Sequence, residues 1–178
     1  PKLIERTIEL GYPIEILSLG VQMHMAPRII KAYEHYITIE APSNGIIAGC
    51  TQSNNFARAM LHVILDSIVT GHPRTSSRSF VDDVSQTTRR KSQKYAVVYA
   101  VRAARDFADQ VRESQLVISS KTTVLARTAQ LRTLVQRMLR SRGVNVSVAT
   151  SGVDLGVGTA CGTRRCTGHL DKRIRTIK

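Results

Sequence analysis

Apolar residues recur along this chain at two different spacings, and the switch between them marks out its elements. The spacing over 2–10 predicts a short helix closed by Gly11, a residue suited to the positive φ of a helix C-terminus. Gly11-Tyr12-Pro13 restarts the chain, and the apolar stretch at 14–25 predicts a second helix that Pro27 ends. Over 35–40, Tyr36, Thr38 and Glu40 alternate with His35, Ile37 and Ile39, the period of a strand, before a Pro-Ser-Asn-Gly turn at 42–45. Between 53 and 69 the period becomes helical, with Phe56, Met60, Val63, Ile64 and Ile68 on one face, Ser53 placed to cap the start and Gly71 to stop it.

After a polar loop at 73–77, the segment Ser79-Phe80-Val81-Asp82-Asp83-Val84-Ser85 predicts two short strand arms around an Asp-Asp turn, with the acids at its tip. A long helix is predicted over 94–114 from Val97, Val101, Ala104, Ala108 and Val111, with Arg102, Arg105, Asp109 and Arg112 on other faces. Strand arms at 116–118 and 122–125 are predicted around Ser119-Ser120-Lys121. A second basic helix spans 128–142 and ends at Gly143, and Val144, Val146 and Val148 alternate as a strand beyond it. This order predicts an α+β fold: a small, mostly antiparallel sheet backed on one face by the helices at 53–69 and 94–114, with the Asp hairpin tip on the open side.

A chain of 178 residues and 19.7 kDa has room for one ordinary core, and with 42% hydrophobic and 22% charged residues it fits neither a disordered nor a fibrous class. No apolar run approaches the roughly 18 residues of a membrane span. The charge narrows the picture further. The net value is +13 with a pI of about 10.4, and it is unevenly placed: positions 1–71 carry five basic and six acidic residues, 72–143 fifteen and five, and 144–178 six and two. Such basicity points to a polyanion. With no Trp and three Phe the chain is poorly equipped for an interfacial membrane helix, so nucleic acid is the expected partner and a membrane is not. Cys50, Cys161 and Cys166 form no disulfide framework, and an intracellular setting, nucleus or cytoplasm, is expected. Cys161, Cys166 and His169 lie close in sequence, but a zinc knuckle needs four ligands at tighter spacing, so an ordinary loop is the expectation.

The Asp82-Asp83 pair is the feature with the most chemistry in it. Adjacent carboxylates on a tight hairpin repel and resist folding unless something neutralises them. Mg²⁺ does so with hard oxygen ligands, one or two carboxylates being completed by water and substrate phosphates. A solvated turn is the alternative for such a pair taken alone.

The surrounding residues carry a resemblance. Phe80-Val81-Asp82-Asp83, an aromatic and any residue before two Asp, resembles the metal-binding hairpin of reverse transcriptases. Upstream, the segment from Asn44 through Gly45 and Gly49 to Ser53, followed by an apolar helix, is similar to the motif that precedes it in that family. Downstream, Leu116-Val117-Ile118-Ser119-Ser120-Lys121-Thr122 resembles the segment with the active-site lysine, and Asp154-Leu155-Gly156-Val157 the Leu-Gly turn of the primer-gripping hairpin. Gly11-Tyr12-Pro13 before an apolar helix is also similar, so the likeness covers most of 11–157 and is nearest to the non-long-terminal-repeat retroelement type.

The resemblance implies an incomplete polymerase palm over 1–150, and over 151–178 a Leu-Gly turn with a basic tail towards a thumb beyond Lys178. By the same likeness, Asp82 would be the principal ligand of catalytic Mg²⁺ or Mn²⁺ and Asp83 a weaker one, with Phe80 supporting the hairpin. Gly49 and Ser53 would lie under the template base or incoming nucleotide, Lys121 would reach the triphosphate at the same cleft, and Leu155 and Gly156 would belong to the primer grip. RNA template, DNA primer and deoxynucleoside triphosphates are the implied partners. Two departures stand out: Ala48 occupies the place of the family's Gln, and residues 1–10 offer Glu5 and Glu9 but no Asp for the further metal ligand that the family carries on an earlier strand. With an N-terminus lacking Met and no fingers strands, the chain reads as a palm piece of a larger polymerase, itself expected to be inactive. The alternative is a non-catalytic, basic, nucleic-acid-binding remnant that uses the helices around Arg102–Arg112 and Arg127–Arg142. A helical module for a protein partner comes third, because it leaves the Asp hairpin without a role.

Overall fold

A computed structural model describes residues 2–40, 50–154 and 157–160, the last six of these by backbone alone. The chain is a mixed α+β protein that divides into two compact units. One comprises residues 1–67 with 79–84, the other 68–78 with 85–178.

In the first unit, α1 (Lys2–Glu9) and α2 (Ile14–Met25) pack together. The link between them is set by Gly11, whose φ of +73° lets the amides of Gly11 and Tyr12 reach back to the carbonyls of Ile8 and Thr7. The unit is organised around Phe56 near the start of α3 (Ser53–Gly71), which is 1% exposed. The Tyr12 and His24 rings meet it at centroid distances of 6.0 and 5.5 Å, and Gly20 of α2 lies so close that an added Cβ would stand 2.7 Å from the ring. The Tyr12 hydroxyl donates to Gln52 Oε1, which fixes the chain just before α3. His24 is buried, and burial first and the neighbouring Arg28 second hold its imidazole below the usual histidine pKa.

Beyond α2, β1 (Arg28–Ala32) pairs antiparallel with β2 (His35–Ile39) through a Tyr33-Glu34 turn. The sequence reading anticipates β2 but not β1, where adjacent isoleucines break the two-residue alternation. The α3 boundaries match expectation, and Phe56, Ile64 and Ile68 are buried, yet Val63 on the same face is 38% exposed. Periodicity identifies a face that can be covered; it does not say how far a partner covers it, and Tyr12, Gly20 and His24 all meet α3 at Phe56.

The second unit is built on α4 (Gln93–Glu113) and α5 (Ala129–Arg140). Val97, Val101 and Ala108 of α4 pack with Val135 and Leu139 of α5 and with Val144 and Val146 beyond it, and Ile118 and Val124 add to this core. The Thr128 side chain caps α5 by accepting from the Leu131 amide, and Gly143, at φ +74°, ends it. The helix is the crossover between β5 (Thr123–Leu125) and β6 (Ser147–Ala149), which pair in parallel. Finally, β7 (Ser151–Asp154) pairs antiparallel with β8 (Val157–Ala160).

Three expectations are corrected here. The strands form four separate two-stranded ladders among the described residues, one of them parallel, where a single sheet was predicted. Residues 116–118 form no strand: Gln115 adopts φ +59° and the Leu116 amide folds back to the Val111 carbonyl, while β5 pairs with β6. The predicted strand from Val144 shrinks to Ser147–Ala149, since Val144 and Val146 are spent on the core. In addition, α4 packs against α5.

Candidate functional site

The Asp pair lies on a tight hairpin of β3 (Ser76–Phe80) and β4 (Asp83–Thr87). The turn residues are Val81 and Asp82, so the bend falls one position earlier than the predicted Asp-Asp turn, and Asp83 opens the second strand. A two-residue hairpin connection needs positive φ at its first central residue, a position that favours Gly, Asn or Asp. Val81 occupies it at φ +55°. For a β-branched side chain this is a strained conformation, of the order of 1–3 kcal/mol, and such strain persists only where the surroundings enforce it.

The hairpin presents Asp82 and Asp83 to solvent, with Phe80 59% exposed before the turn. Neither carboxylate side chain has an ion-pair or hydrogen-bond partner among the described residues. In a chain of net charge +13, two adjacent acids have no cationic partner among the described residues. Their hard-oxygen donors suit a divalent cation such as Mg²⁺ or Mn²⁺, most of whose coordination would come from water and phosphate oxygens. Among the described residues no group of three or more His, Cys, Asp or Glu gathers to form a fuller protein cage.

The other predicted site residues fall as follows. Ser53 is the first residue of α3, its amide donating to the Cys50 carbonyl at 3.1 Å, and it belongs to the same compact unit as the hairpin tip. Lys121 belongs to the second unit and sits exposed in a turn just before β5. That turn is held by the Lys121 amide donating to Ser119 Oγ at 3.2 Å and the Thr122 amide to the Ser119 carbonyl at 3.0 Å. The predicted tip is therefore present, though only its second arm is a strand. Gly49, Leu155 and Gly156 lie outside the described residues, as do Cys161, Cys166 and His169. The strands that flank Leu155-Gly156 pair in register up to Asp154 opposite Val157.

The basic helices sort into engaged and unengaged arginines. Arg112 donates to Asp109 at 3.1 Å and to the Gly143 carbonyl at 2.5 Å, tying α4 to the end of α5, and Arg132 donates to the Ala126 carbonyl at 2.8 Å. Arg105 lies against Asp106 at 2.6 Å, and His72 meets the other oxygen of that carboxylate at 3.0 Å. Arg102 and Arg142 are exposed, with no carboxylate partner among the described residues. The sequence reading names the helices but overlooks a cluster at the start of α4, where the Arg74 and Arg90 guanidiniums lie 5.0 and 5.7 Å from the Tyr99 ring centroid. The available signal was the spacing of Tyr95, Tyr99 and Arg102, which share one helical face.

Comparison with protein-family models, with curated proteins and with solved structures finds no match to this chain.

Proposed function

We propose that this chain is part of a retroelement reverse transcriptase, contributing the palm hairpin of an enzyme that performs RNA-directed DNA synthesis by two-metal nucleotidyl transfer. The observation that carries this reading is the Phe80-Val81-Asp82-Asp83 hairpin, which exposes two adjacent carboxylates with no cationic partner among the described residues.

In this reading Asp82 and Asp83 would hold Mg²⁺ or Mn²⁺, and the bound ions would stabilise charge on the attacking and leaving oxygens of the phosphoryl displacement. The chain's own contribution is to hold the carboxylates in position. Lys121 would place its ammonium at the triphosphate, stabilising charge on the departing pyrophosphate or donating a proton to it. Calorimetric titration with MnCl₂ tests the proposal: wild type is expected to bind, and Asp82→Ala to lose at least about tenfold in affinity. Equal affinity in the two proteins would overturn it.

A second reading is favoured by the unengaged arginines of the second unit: a non-catalytic nucleic-acid-binding remnant of such a polymerase. It requires phosphate binding that weakens steeply with salt and is unchanged by Asp82→Ala.

A further inference from the structure

Tyr95, Tyr99, Arg102 and Asp106 follow one another along a single face of α4. Against that face lies a cleft of about 550 Å³, lined in part by Arg74, Thr75, Tyr99, Arg102 and Arg105. A second cleft of about 380 Å³, reaching Arg142, shares Arg102 and Arg105 with it. Five guanidiniums therefore border one surface: those of Arg74, Arg90, Arg102, Arg105 and Arg142. The one carboxylate lining either cleft, Asp106, is already engaged by Arg105 and His72, so four of the five have no carboxylate partner among the described residues.

The surface is braced from within. Arg90 donates to the Arg74 carbonyl at 3.1 Å, Arg74 donates to the Tyr99 hydroxyl, and both guanidiniums lie over the Tyr99 ring. Thr75, which is buried, bonds Thr88 at 2.9 Å and joins the two segments that carry these arginines. Tyr95 stacks on Tyr99 at 6.3 Å with an interplanar angle of 20° and is itself 58% exposed. The result is a short aromatic ladder with an open end, flanked by cations whose mutual repulsion a polyanion would relieve.

We propose that this face of α4 binds single-stranded nucleic acid, with Arg74, Arg90, Arg102 and Arg142 meeting phosphates and Tyr95 stacking on a base. Phosphate contact alone would serve a duplex equally well; the exposed tyrosine at the end of a stack selects unpaired bases, which offer a π-face. The inference deepens the second functional reading and stands apart from the Asp hairpin.

The test is fluorescence anisotropy of the full chain with a labelled oligothymidylate of about 15 nucleotides, the length of a single-strand site. Wild type is expected to bind with steep salt dependence, and more tightly than it binds a duplex of the same length. Tyr95→Ala is expected to weaken binding about tenfold, with Tyr95→Phe restoring it. Arg102→Ala should lower the slope of log affinity against log salt by about 0.7, the contribution of one phosphate on a single strand. Arg58→Ala, an exposed charge in the other unit, should change nothing. Salt-dependent binding that is indifferent to Tyr95→Ala and Arg102→Ala would overturn this location while leaving the second reading standing. Absence of binding, or preference for vesicles of anionic lipid over the oligonucleotide, would overturn both.

Discussion

The molecule contains two hairpins of almost the same construction and opposite chemistry. Each joins two five-residue strands through a two-residue turn whose first residue is a bulky side chain at positive φ, Tyr33 at +57° in one and Val81 at +55° in the other. The first hairpin exposes Ile29, Ile30, Tyr36 and Ile37 along its strands, and Lys31 sits 5.4 Å from the Tyr36 ring centroid. Its single turn acid, Glu34, is followed by His35. The second has Asp82 followed by Asp83 and, among the described residues, no cation paired with either. The turn itself is therefore not the functional signal. What separates the two is a pair of adjacent carboxylates that no cation among the described residues neutralises.

That contrast can be broken at several points. The largest expected effect is on metal affinity. Asp82→Asn should reduce Mn²⁺ affinity at least about tenfold in calorimetry and Asp83→Asn should reduce it less, while Glu34→Gln should leave it unchanged because a lone exposed carboxylate is a poor site for a divalent ion. A comparable loss from Glu34→Gln would mean that any hairpin acid suffices.

Next in size is backbone strain. Tyr33→Gly and Val81→Gly should each raise stability in chemical denaturation, by about 1 kcal/mol, because glycine adopts positive φ without a Cβ clash. The gain should be larger at Tyr33, which is 93% exposed and has little packing to lose, than at the half-buried Val81. Destabilisation at both positions would show that the turns are not strained.

The smallest effect concerns the root of the first hairpin, where Arg28 opens β1 and lowers the pKa of His24 together with burial. A histidine whose folded pKa is depressed binds fewer protons folded than unfolded. Its contribution to stability is therefore present above about pH 6.5, the ordinary histidine value, and is lost as pH falls through the lower folded value. Thermal denaturation between pH 7 and 5 should show a loss that His24→Gln reduces; an equal loss in the variant would remove His24 as its source.

The helices and the acidic hairpin were legible in the sequence because their signals are local. The 3.6-residue recurrence of Val97, Val101, Ala108 and Val111 needs no partner to be read, and Gly11 and Gly143 stand at helix ends in the left-handed conformation. The parallel pairing of Thr123–Leu125 with Ser147–Ala149 was not legible, since a three-residue strand acquires its partner through α5 and not through a turn. Leu116 to Ile118 misled for the related reason that apolar residues suited to a strand also serve a core, and Ile118 is used there while Val117 is 93% exposed. For the candidate site, the residue types announced Asp82 and Asp83. Val81's strained backbone could not be read, because valine at that position argues against the turn it makes. The Arg74–Arg90–Tyr99 cluster draws its members from three separate segments and becomes visible only when they are folded together.

The most direct test of the central claim is residue-resolved NMR of the full chain under substoichiometric Mn²⁺. Paramagnetic broadening of amide signals is expected to centre on residues 80–84, leave 33–35 sharp, and disappear from 80–84 in Asp82→Ala. Broadening centred elsewhere, or equal at both hairpins, would contradict a metal site built by Asp82 and Asp83.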